Sequence, residues 1–251
     1  MKIINEANVL AFAVSAGKFQ TCRSLSDKDL NILLTKEKDY NVLPSKNLGD
    51  YETLYGCAQN ILERETGIKN NYIEQLYTFS DLNRVQDKHI ITTSYISLID
   101  KEMVKSNLEK NTSWFTITGK ALSPTEIQLV LKSDDDLIEI VYERKIFDKT
   151  TGKCEYIIKK SMGLGHDHAK ILVCGLERMH NNVENTDIIF NLMPEYFTLG
   201  ELQQVYEMFL GRKLLDPAFR RIIQNKVVKT DKIVKTGGHR PSVLFKYNYD
   251  K

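Results

Sequence analysis

The amino-acid sequence predicts an α+β fold in which a β-rich N-terminal part precedes a smaller C-terminal part of helices and a β-ribbon. Up to residue 160 most apolar residues form short runs rich in Ile, Val, Thr and Tyr, which favour strands. One stretch there, residues 52–66, instead repeats apolar residues every three or four positions, as helices do. The helical spacing dominates after residue 160. We therefore divide the chain into residues 1–160 and 161–251.

The composition is that of a globular protein with a buried core, because 42% of the residues are hydrophobic and 27% are charged. No apolar run approaches the roughly 18 residues of a membrane-spanning helix, so we expect no contact with a membrane. The N-terminus has no basic segment followed by an apolar one, and the four cysteines form no paired motif. These features favour the reducing cytoplasm.

Seven short runs in the N-terminal part predict strands, because they are apolar or β-branched and lack helical spacing. The segments 133–136 and 148–153 contain Ser, Asp, Thr and Gly, which favour the turns of β-hairpins. The predicted strands are residues 9–14, 31–35, 76–79, 89–99, 128–132, 137–142 and 156–158.

Two helices are predicted next to these strands, one between them and one after the last of them. Residues 52–66 bring apolar side chains to one helical face, and Gly67 follows as a residue that can end a helix in the left-handed conformation. Residues 168–181 carry a similar stripe, and Asp167 precedes them as the predicted N-cap. The two stripes consist of Leu54, Cys57, Ala58, Ile61 and Leu62, and of Leu172, Leu176, Met179 and Val183.

The C-terminal part predicts two further helices. Thr198 and Glu201 have the spacing of a capping box, in which each side chain bonds the other residue's backbone N–H. Gly211 ends that helix, and Asp216, followed by proline, starts the next one. This last helix has an apolar face and a polar face, formed by Phe219, Ile222 and Ile223 and by Arg220, Arg221 and Gln224.

Two β-like segments, 227–234 and 243–247, follow these helices and flank a basic loop at 235–241. Helix, turn, helix and a two-stranded ribbon with a basic tip is the layout of a winged helix-turn-helix. From residue 195 onwards 11 Lys and Arg outnumber 6 Asp and Glu, whereas the rest of the chain is slightly acidic. Layout and charge together favour duplex DNA as the partner. The alternative is a small helical domain that binds another protein.

The predicted DNA contacts fall on the last helix and on the tip of the ribbon. In the major groove arginine can bond guanine and glutamine can bond adenine, while the ribbon tip can reach phosphates or the minor groove. The predicted DNA-binding residues are Arg220, Arg221, Gln224, Asn225, His239 and Arg240.

The region around the first helix resembles a Nudix box, whose pattern is Gly-x5-Glu-x7-Arg-Glu-U-x-Glu-Glu-x-Gly-U, with U a bulky apolar residue. Lys46 stands where the family has a glycine. The chain fits the pattern at Glu52, Leu62, Glu65, Gly67 and Ile68. The resemblance covers roughly residues 5–120. It implies a Nudix-like α/β/α sandwich with a mixed sheet.

The departures from this pattern remove most of its metal-binding glutamates. In active family members the glutamates bind a divalent metal that activates water against a diphosphate, and a hard cation needs several oxygen ligands. Here Asn60 and Ile61 replace the Arg-Glu pair, and Arg64 replaces another glutamate. We therefore expect no catalytic residue, no metal ion and no cofactor, and we predict that the protein is not an enzyme.

A Nudix-like domain followed by this winged helix resembles the Nudix-related transcriptional regulators of bacteria. These include repressors of NAD metabolism that sense ADP-ribose and relatives that sense sugars. The resemblance implies a homodimer that binds a palindromic operator, and an effector that is bound in the Nudix fold without hydrolysis. The stretches that carry the match are 166–172, 190–199, 201–207, 219–221 and 238–241.

The resemblance also implies an effector site near the degenerate box. Arg64 can hold an anionic effector in place of the lost metal, and Arg84, in a loop after a predicted strand, can pair with a phosphate. The alternative for both arginines is a solvated surface charge. The residues assigned to this site are Lys46, Glu52, Arg64, Glu65 and Arg84.

The sequence alone allows more than one role for two further features. Residues 120–160 are inserted relative to shorter family members, and they can extend the sheet, cover the ligand pocket or build a dimer contact. His166, Asp167 and His168 can be metal ligands or, as we prefer, a helix cap and a histidine that packs or bonds between the two parts.

The sequence thus predicts a DNA-binding repressor whose degenerate Nudix domain binds ADP-ribose, a nucleotide-sugar or a sugar phosphate. The alternative is a Nudix pyrophosphatase with an appended winged helix. In the regulator, effector binding would rotate two winged helices relative to operator half-sites that lie about 34–36 Å apart.

Overall fold

The computed structural model describes residues 3–16, 28–69, 71–82, 84, 88–104, 108–148, 150, 153–234 and 241–250. Ten strands of this part form one sheet, and a separate two-stranded ribbon lies near the C-terminus. The large sheet contains β1 (Ile3–Ala16), β2 (Lys28–Glu37), β3 (Tyr40–Val42), β4 (Ser45–Asn47), β5 (Tyr72–Phe79), β6 (His89–Asp100), β7 (Thr112–Ala121), β8 (Glu126–Lys132), β9 (Leu137–Asp148) and β10 (Lys153–Met162). The helices are α1 (Leu54–Thr66), α2 (His168–Asn182), α3 (Leu199–Leu210) and α4 (Asp216–Ile223). The ribbon consists of β11 (Val227–Val234) and β12 (Ser242–Tyr247), and short 3-10 helices span Lys101–Met103 and Ile188–Leu192.

The large sheet is built around β1 and β6, which run parallel to each other from Ile3 to Val14 of β1. Its order is β10-β9-β8-β7-β2-β1-β6-β5, with β3 paired to β2 and β4 paired to β1. The other pairs of neighbouring strands in the described part are antiparallel. The mixed sheet predicted from the sequence is therefore confirmed.

Helices cover both faces of this sheet, and β1 shows how the sequence encodes the two layers. Val9 and Ala11 pack in the same cluster as the buried face of α1. Leu10 and Phe12 point to the opposite face, where Leu10 contacts α2 at Gly175. All four side chains are at most 1% exposed, because a strand covered on both faces carries apolar residues without alternation. This arrangement is the predicted α/β/α sandwich.

The inserted residues 120–160 extend the sheet, which confirms one of the three roles considered for them. β8, β9 and β10 continue it beyond β7 as antiparallel neighbours. They also hold α2, because the Tyr142 hydroxyl donates to Glu177 Oε1 at 2.7 Å and Arg144 Nη2 donates to the same oxygen at 2.6 Å. The Glu177 side chain is only 6% exposed. The insertion is thus bonded to the helix that leads towards the C-terminal part.

The C-terminal part packs directly on the sheet. Phe209 of α3 meets Phe12 of β1 edge to face, with ring centroids 6.5 Å apart. Lys28 Nζ on β2 lies 3.2 Å from Glu201 Oε1 at the start of α3. His180 on α2 places Nδ1 2.8 Å from the carbonyl oxygen of Phe209. The winged helix region therefore has a polar and an apolar connection to the rest of the chain.

The predicted caps of α3 and the end of α1 are confirmed. Thr198 Oγ1 accepts a hydrogen bond from Glu201 N at 3.2 Å, and Glu201 Oε2 accepts one from Thr198 N at 2.9 Å. Gly67 and Gly211 follow α1 and α3 with φ angles of 73° and 64°. This left-handed conformation is strained for residues with a Cβ atom, which explains glycine at both ends.

Two helix starts differ from the prediction by one or two residues. α1 begins at Leu54 instead of residue 52, because Thr53 is its N-cap and accepts a hydrogen bond from Gly56 N at 3.0 Å. α4 includes Asp216, so Leu215 takes the N-cap position and no side chain caps the helix. The proline in its first turn favours a start at this position, because the ring holds φ near the helical value.

Candidate functional site

Helix α4 presents an apolar face to the core and a polar face to solvent, as its sequence predicts. Phe219 and Ile223 are 2% and 3% exposed and pack in the main core. The predicted DNA-binding residues on and after the helix are exposed, namely Arg220, Arg221, Gln224 and Asn225. The side chains of the first three make no hydrogen bond or ion pair with another described residue. The other two predicted contacts, His239 and Arg240, lie outside the described residues.

The turn between α3 and α4 fixes the position of this exposed face. Leu214 N donates to Glu207 Oε1 at 2.8 Å, and the Leu214 carbonyl accepts from Gln203 Nε2 at 2.9 Å. The rings of Tyr206 and Phe219 meet edge to face with centroids 5.8 Å apart. The two helices therefore form a helix-turn-helix unit whose side-chain contacts fix the orientation of α4, which carries Arg220 and Arg221.

The ribbon β11–β12 is bonded to the segment before α3. Phe197 and Phe245 exchange two backbone hydrogen bonds, of 3.0 and 2.8 Å. Lys232 Nζ on β11 lies 3.3 Å from the centre of the Tyr196 ring, which is a cation–π contact. Helix, turn, helix and ribbon are thus assembled as a winged helix.

The degenerate Nudix box places a first ion pair between β4 and the start of α1. Lys46 Nζ donates to both carboxylate oxygens of Glu52, at 2.7 and 3.0 Å. The same carboxylate accepts from Gly49 N at 3.0 Å and from Asn60 Nδ2 at 2.8 Å. These bonds, that of Lys46 above all, lower the pKa of Glu52 to about 2. Glu52 is therefore an anion whose charge is already compensated by Lys46.

A second ion pair lies at the other end of α1. Arg64 Nη2 is 2.6 Å from Glu65 Oε1, and Nε donates to the same oxygen at 2.7 Å. Thr112 Oγ1 of β7 donates to the other oxygen of Glu65 at 2.5 Å. The Glu65 side chain is 5% exposed and that of Arg64 is 46% exposed. Arg64 therefore compensates a buried carboxylate while its side chain stays partly exposed to solvent.

These residues do not fit the divalent metal of an active Nudix site. Mg²⁺ needs oxygen ligands, and both remaining glutamates, Glu52 and Glu65, are paired with a cation of the chain itself. Ile61 is fully buried and has no ligand atom. Among the residues that the structure describes, no three His, Cys, Asp or Glu side chains are grouped as metal ligands. No metal-dependent step is therefore assigned to this site.

Arg84 holds the start of α2, and this contact changes the predicted role of Asp167. Arg84 Nε and Nη2 donate to the two oxygens of Asp167 at 2.6 and 2.9 Å. Arg84 Nη1 donates to the Phe79 carbonyl at 2.6 Å. The Arg84 side chain is 6% exposed. Asp167 occupies the N-cap position of α2, but its side chain makes no capping bond because it binds Arg84 instead. A contact of Arg84 with an effector remains a prediction.

His168 is a packed and bonded residue at the start of α2, as we preferred. Its Nδ1 accepts a hydrogen bond from Leu43 N at 3.0 Å, and it is 5% exposed. Burial lowers its pKa to about 4, so the imidazole is neutral and carries its hydrogen on Nε2. His166 instead lies half exposed, with Nε2 3.8 Å from a Glu37 carboxylate oxygen.

Sequence reasoning missed the contacts that join the winged helix region to the sheet and to α2. Lys28 carries no recognisable motif, and Glu201 was identified as part of a cap but not as its partner. The bond between His180 and Phe209 joins residues 29 positions apart. Such contacts have no local sequence signal, because they depend on how the elements pack.

Comparison with known proteins supports both parts of the fold. Residues 189–247 match the family model of the NrtR DNA-binding winged helix domain. The ADPR responsive transcriptional repressor NtrR of Acinetobacter baylyi is 27% identical over 234 residues, which cover 89% of this chain and 78% of that protein. The structure of Shewanella oneidensis NrtR complexed with a 27mer DNA has a TM-score of 0.67 at 18% identity, covering 97% of this chain and 93% of that one. A MutT/nudix family protein from Enterococcus faecalis has the same TM-score at 20% identity, covering 99% and 87%.

The fold and the matches define a class of protein, in which a Nudix-like domain is joined to a winged helix domain. Within this class the chain is similar, over most of its length, to Nudix-related transcriptional regulators of the NrtR type. The resemblance stated from the sequence and the predicted fold are therefore confirmed. None of the described helices is long and apolar enough to cross a membrane.

Proposed function

We propose that the protein is a transcriptional repressor of the bacterial cytoplasm that binds operator DNA as a homodimer and releases it when a small effector binds. The observation that carries this proposal is the exposed face of α4, where Arg220, Arg221 and Gln224 project from a helix whose other face is buried. A helix of this kind fits the major groove, and these side chains suit guanine and adenine. The DNA-binding family matched by residues 189–247 and the repressor from Acinetobacter baylyi support it.

The effector is assigned to the surroundings of the degenerate box. Lys46 and Arg64 are 39% and 46% exposed, so both cations can face a phosphate while they keep their carboxylate partners. ADP-ribose is the first candidate, because the Acinetobacter baylyi relative is named as responsive to it. Nucleotide-sugars and sugar phosphates present similar anionic groups and are the other candidates.

We further propose that the effector is bound without hydrolysis. Nudix chemistry needs a metal ion held by several carboxylates. In this chain Lys46 compensates Glu52, Arg64 compensates Glu65, and Ile61 supplies no ligand. The site therefore keeps the anion-binding charge but not the means to activate water.

A continuous set of contacts can transmit effector binding to the DNA-binding part. Lys46 lies on β4, which follows Leu43, and the N–H of Leu43 is bonded to His168 at the start of α2. Near its other end α2 carries His180, which contacts the carbonyl of Phe209 on α3. A ligand held by Lys46 thus contacts β4, which directly follows the segment bonded to α2. Couplings of this kind are typically about 1–3 kcal/mol.

The proposal is tested with DNA fragments selected by the full-length protein from the genome of its own bacterium. Fluorescence anisotropy should show tight binding of a palindromic fragment, and ADP-ribose should weaken it by roughly 5–150-fold. Chromatography of the same mixtures should recover ADP-ribose intact in the presence of MgCl₂. If no genomic fragment binds, with or without the candidate effectors, the proposal is wrong. Mg²⁺-dependent cleavage of ADP-ribose would instead support a pyrophosphatase.

A further inference from the structure

A cavity lies between the two parts of the chain, away from the degenerate box. Its volume is about 660 Å³. Tyr72 and Glu74 of β5 line one side, and the segment 186–197 with the end of β12 lines the other. None of the residues assigned to the effector site lines it. Small-molecule sites have volumes of roughly 300–1,000 Å³ and occur preferentially between domains, so both its size and its position suit a ligand.

Aromatic rings form one wall of this cavity. The rings of Phe190 and Tyr247 have centroids 4.7 Å apart, and those of Tyr247 and Tyr249 meet edge to face at 4.9 Å. Phe197, which also lines the cavity, supports Phe190 from the core with centroids 6.0 Å apart. Tyr247 is fixed by its hydroxyl, which donates to Asp187 Oδ2 at 2.8 Å. The wall is therefore rigid at Phe190 and Tyr247 and open to solvent at Tyr249, which is 84% exposed.

The charged groups that line the cavity are mainly carboxylates. Within the described part of the chain, Glu74, Asp187 and Glu195 line the cavity together with one cation, Lys246. Lys226 lies 3.2 Å from Asp187 and compensates it. The Glu74 carboxylate also accepts a hydrogen bond from the Tyr72 hydroxyl, which leaves its charge in place. Two carboxylates therefore remain against one lysine, and the cavity keeps an excess of negative charge.

We propose that this cavity binds a small organic cation. The faces of aromatic rings attract cations, and a carboxylate at the rim supplies the counter-charge. An anionic nucleotide would be repelled by the same carboxylates, so this ligand is different from the effector assigned to the degenerate box. Because β5 and the winged helix both line the cavity, an occupant would contact both parts at once.

The test is isothermal titration calorimetry on the full-length protein without DNA, so that its outcome does not depend on the proposed function. The probes are choline, N-methylpyridinium and agmatine, with 3,3-dimethylbutan-1-ol as the neutral analogue of choline. We expect at least one cation to bind with one site per chain and at least about fivefold more tightly than the neutral alcohol. If none of the three cations binds more tightly than the alcohol, the proposal is wrong.

Variants then assign the site. Tyr249→Ala and Glu195→Gln change exposed residues of the cavity, so both proteins should fold and both should bind the cation at least about fivefold more weakly. Tyr51→Ala is the matched control, because Tyr51 is a fully exposed tyrosine that does not line the cavity. It should bind the cation like the unaltered protein. Undiminished binding by both cavity variants would place the cation elsewhere and overturn the assignment.

Discussion

The backbone N–H of Leu43 donates a hydrogen bond of 3.0 Å to Nδ1 of His168, and this histidine is 5% exposed. The bond joins the segment before β4 to the first residue of α2. Because Nδ1 is the acceptor, the imidazole must be neutral for the bond to form. A proton on Nδ1 would both break this bond and place an unpaired charge in the core.

This bond predicts that the protein loses stability as the pH falls below 6.5. The pKa of His168 is about 4 in the folded protein because of burial, against an ordinary value of 6.5. Between these values the unfolded chain binds a proton that the folded chain does not, so protonation favours unfolding. The contribution of His168 is complete above pH 6.5 and falls by up to about 3 kcal/mol towards pH 4. Urea denaturation across this pH range measures it.

His168→Asn is the control for this prediction. The amide oxygen can accept the hydrogen bond of Leu43 in place of Nδ1, but the side chain does not titrate. Its stability should therefore depend less on pH between 4 and 6.5. An unchanged pH dependence in this variant would show that another group is responsible.

Arg220→Ala and Arg221→Ala should each weaken the binding of the selected DNA. Both side chains are exposed on α4, and loss of a specific arginine contact to a base costs about 1–3 kcal/mol. Fluorescence anisotropy against selected and unrelated fragments measures both affinity and specificity. Lys159→Ala is the matched control, since it removes a partly exposed cation on β10, outside the winged helix. An equal loss of DNA affinity in this control would show that the effect comes from the overall charge of the protein and not from a specific contact of α4.

The helices and several of their ends could be predicted because their signals are local. Gly67, Gly211 and the pair Thr198 and Glu201 each act within one turn of a helix, so a short stretch of sequence contains the whole signal. β3 and β4 have three residues each and were not predicted. Such short strands are defined by their pairing with β2 and β1, and no local sequence pattern predicts that pairing.

The candidate sites show the same difference between local features, which the sequence predicts, and contacts between distant residues, which it does not. The exposed face of α4 follows from helical spacing around Phe219, and the structure agrees. The partners of the charged residues do not follow from spacing: Arg84 and Asp167 are 83 positions apart, and Tyr142 and Glu177 are 35 apart. These pairs exist because the sheet brings distant strands, and the segments between them, against the same helix, so only the three-dimensional structure shows them.

Arg64→Glu should create a protein whose stability depends on Mg²⁺. The change removes the cation that pairs with Glu65 and adds a carboxylate to the cluster. Without a divalent ion the carboxylates repel each other and the melting temperature should fall, whereas excess MgCl₂ should raise it again. Thermal unfolding with and without MgCl₂ measures the difference. Arg64→Gln removes the same charge without adding a ligand, and a similar Mg²⁺ response of this variant would contradict the explanation.

Glu201 has two roles at the start of α3 that can be separated by substitution. One oxygen completes the capping box with Thr198, and the other lies 3.2 Å from Lys28. Glu201→Gln keeps a residue that can complete the box but removes the ion pair, which is partly exposed and should contribute about 0.2–1 kcal/mol. Thr198→Ala removes the cap itself and should cost about 0.5–2 kcal/mol. Denaturant titrations should therefore find Thr198→Ala the less stable variant, and the opposite order would mean that the ion pair dominates.

Gly175→Ala should destabilise the protein although alanine is the better helix former. In the interior of an exposed helix this change would add about 1 kcal/mol of stability. Here the new Cβ would lie 2.5 Å from Cδ2 of Leu10, whose side chain is fully buried, and 3.7 Å from Cδ2 of Leu76. Overpacking of a core costs about 1–3 kcal/mol, which exceeds the gain in helix propensity. Leu10→Val removes the clashing methyl, so the double variant should be more stable than the sum of the two single changes predicts. Denaturant titration of the four proteins tests this, and a stabilised Gly175→Ala would show that α2 can move away from β1.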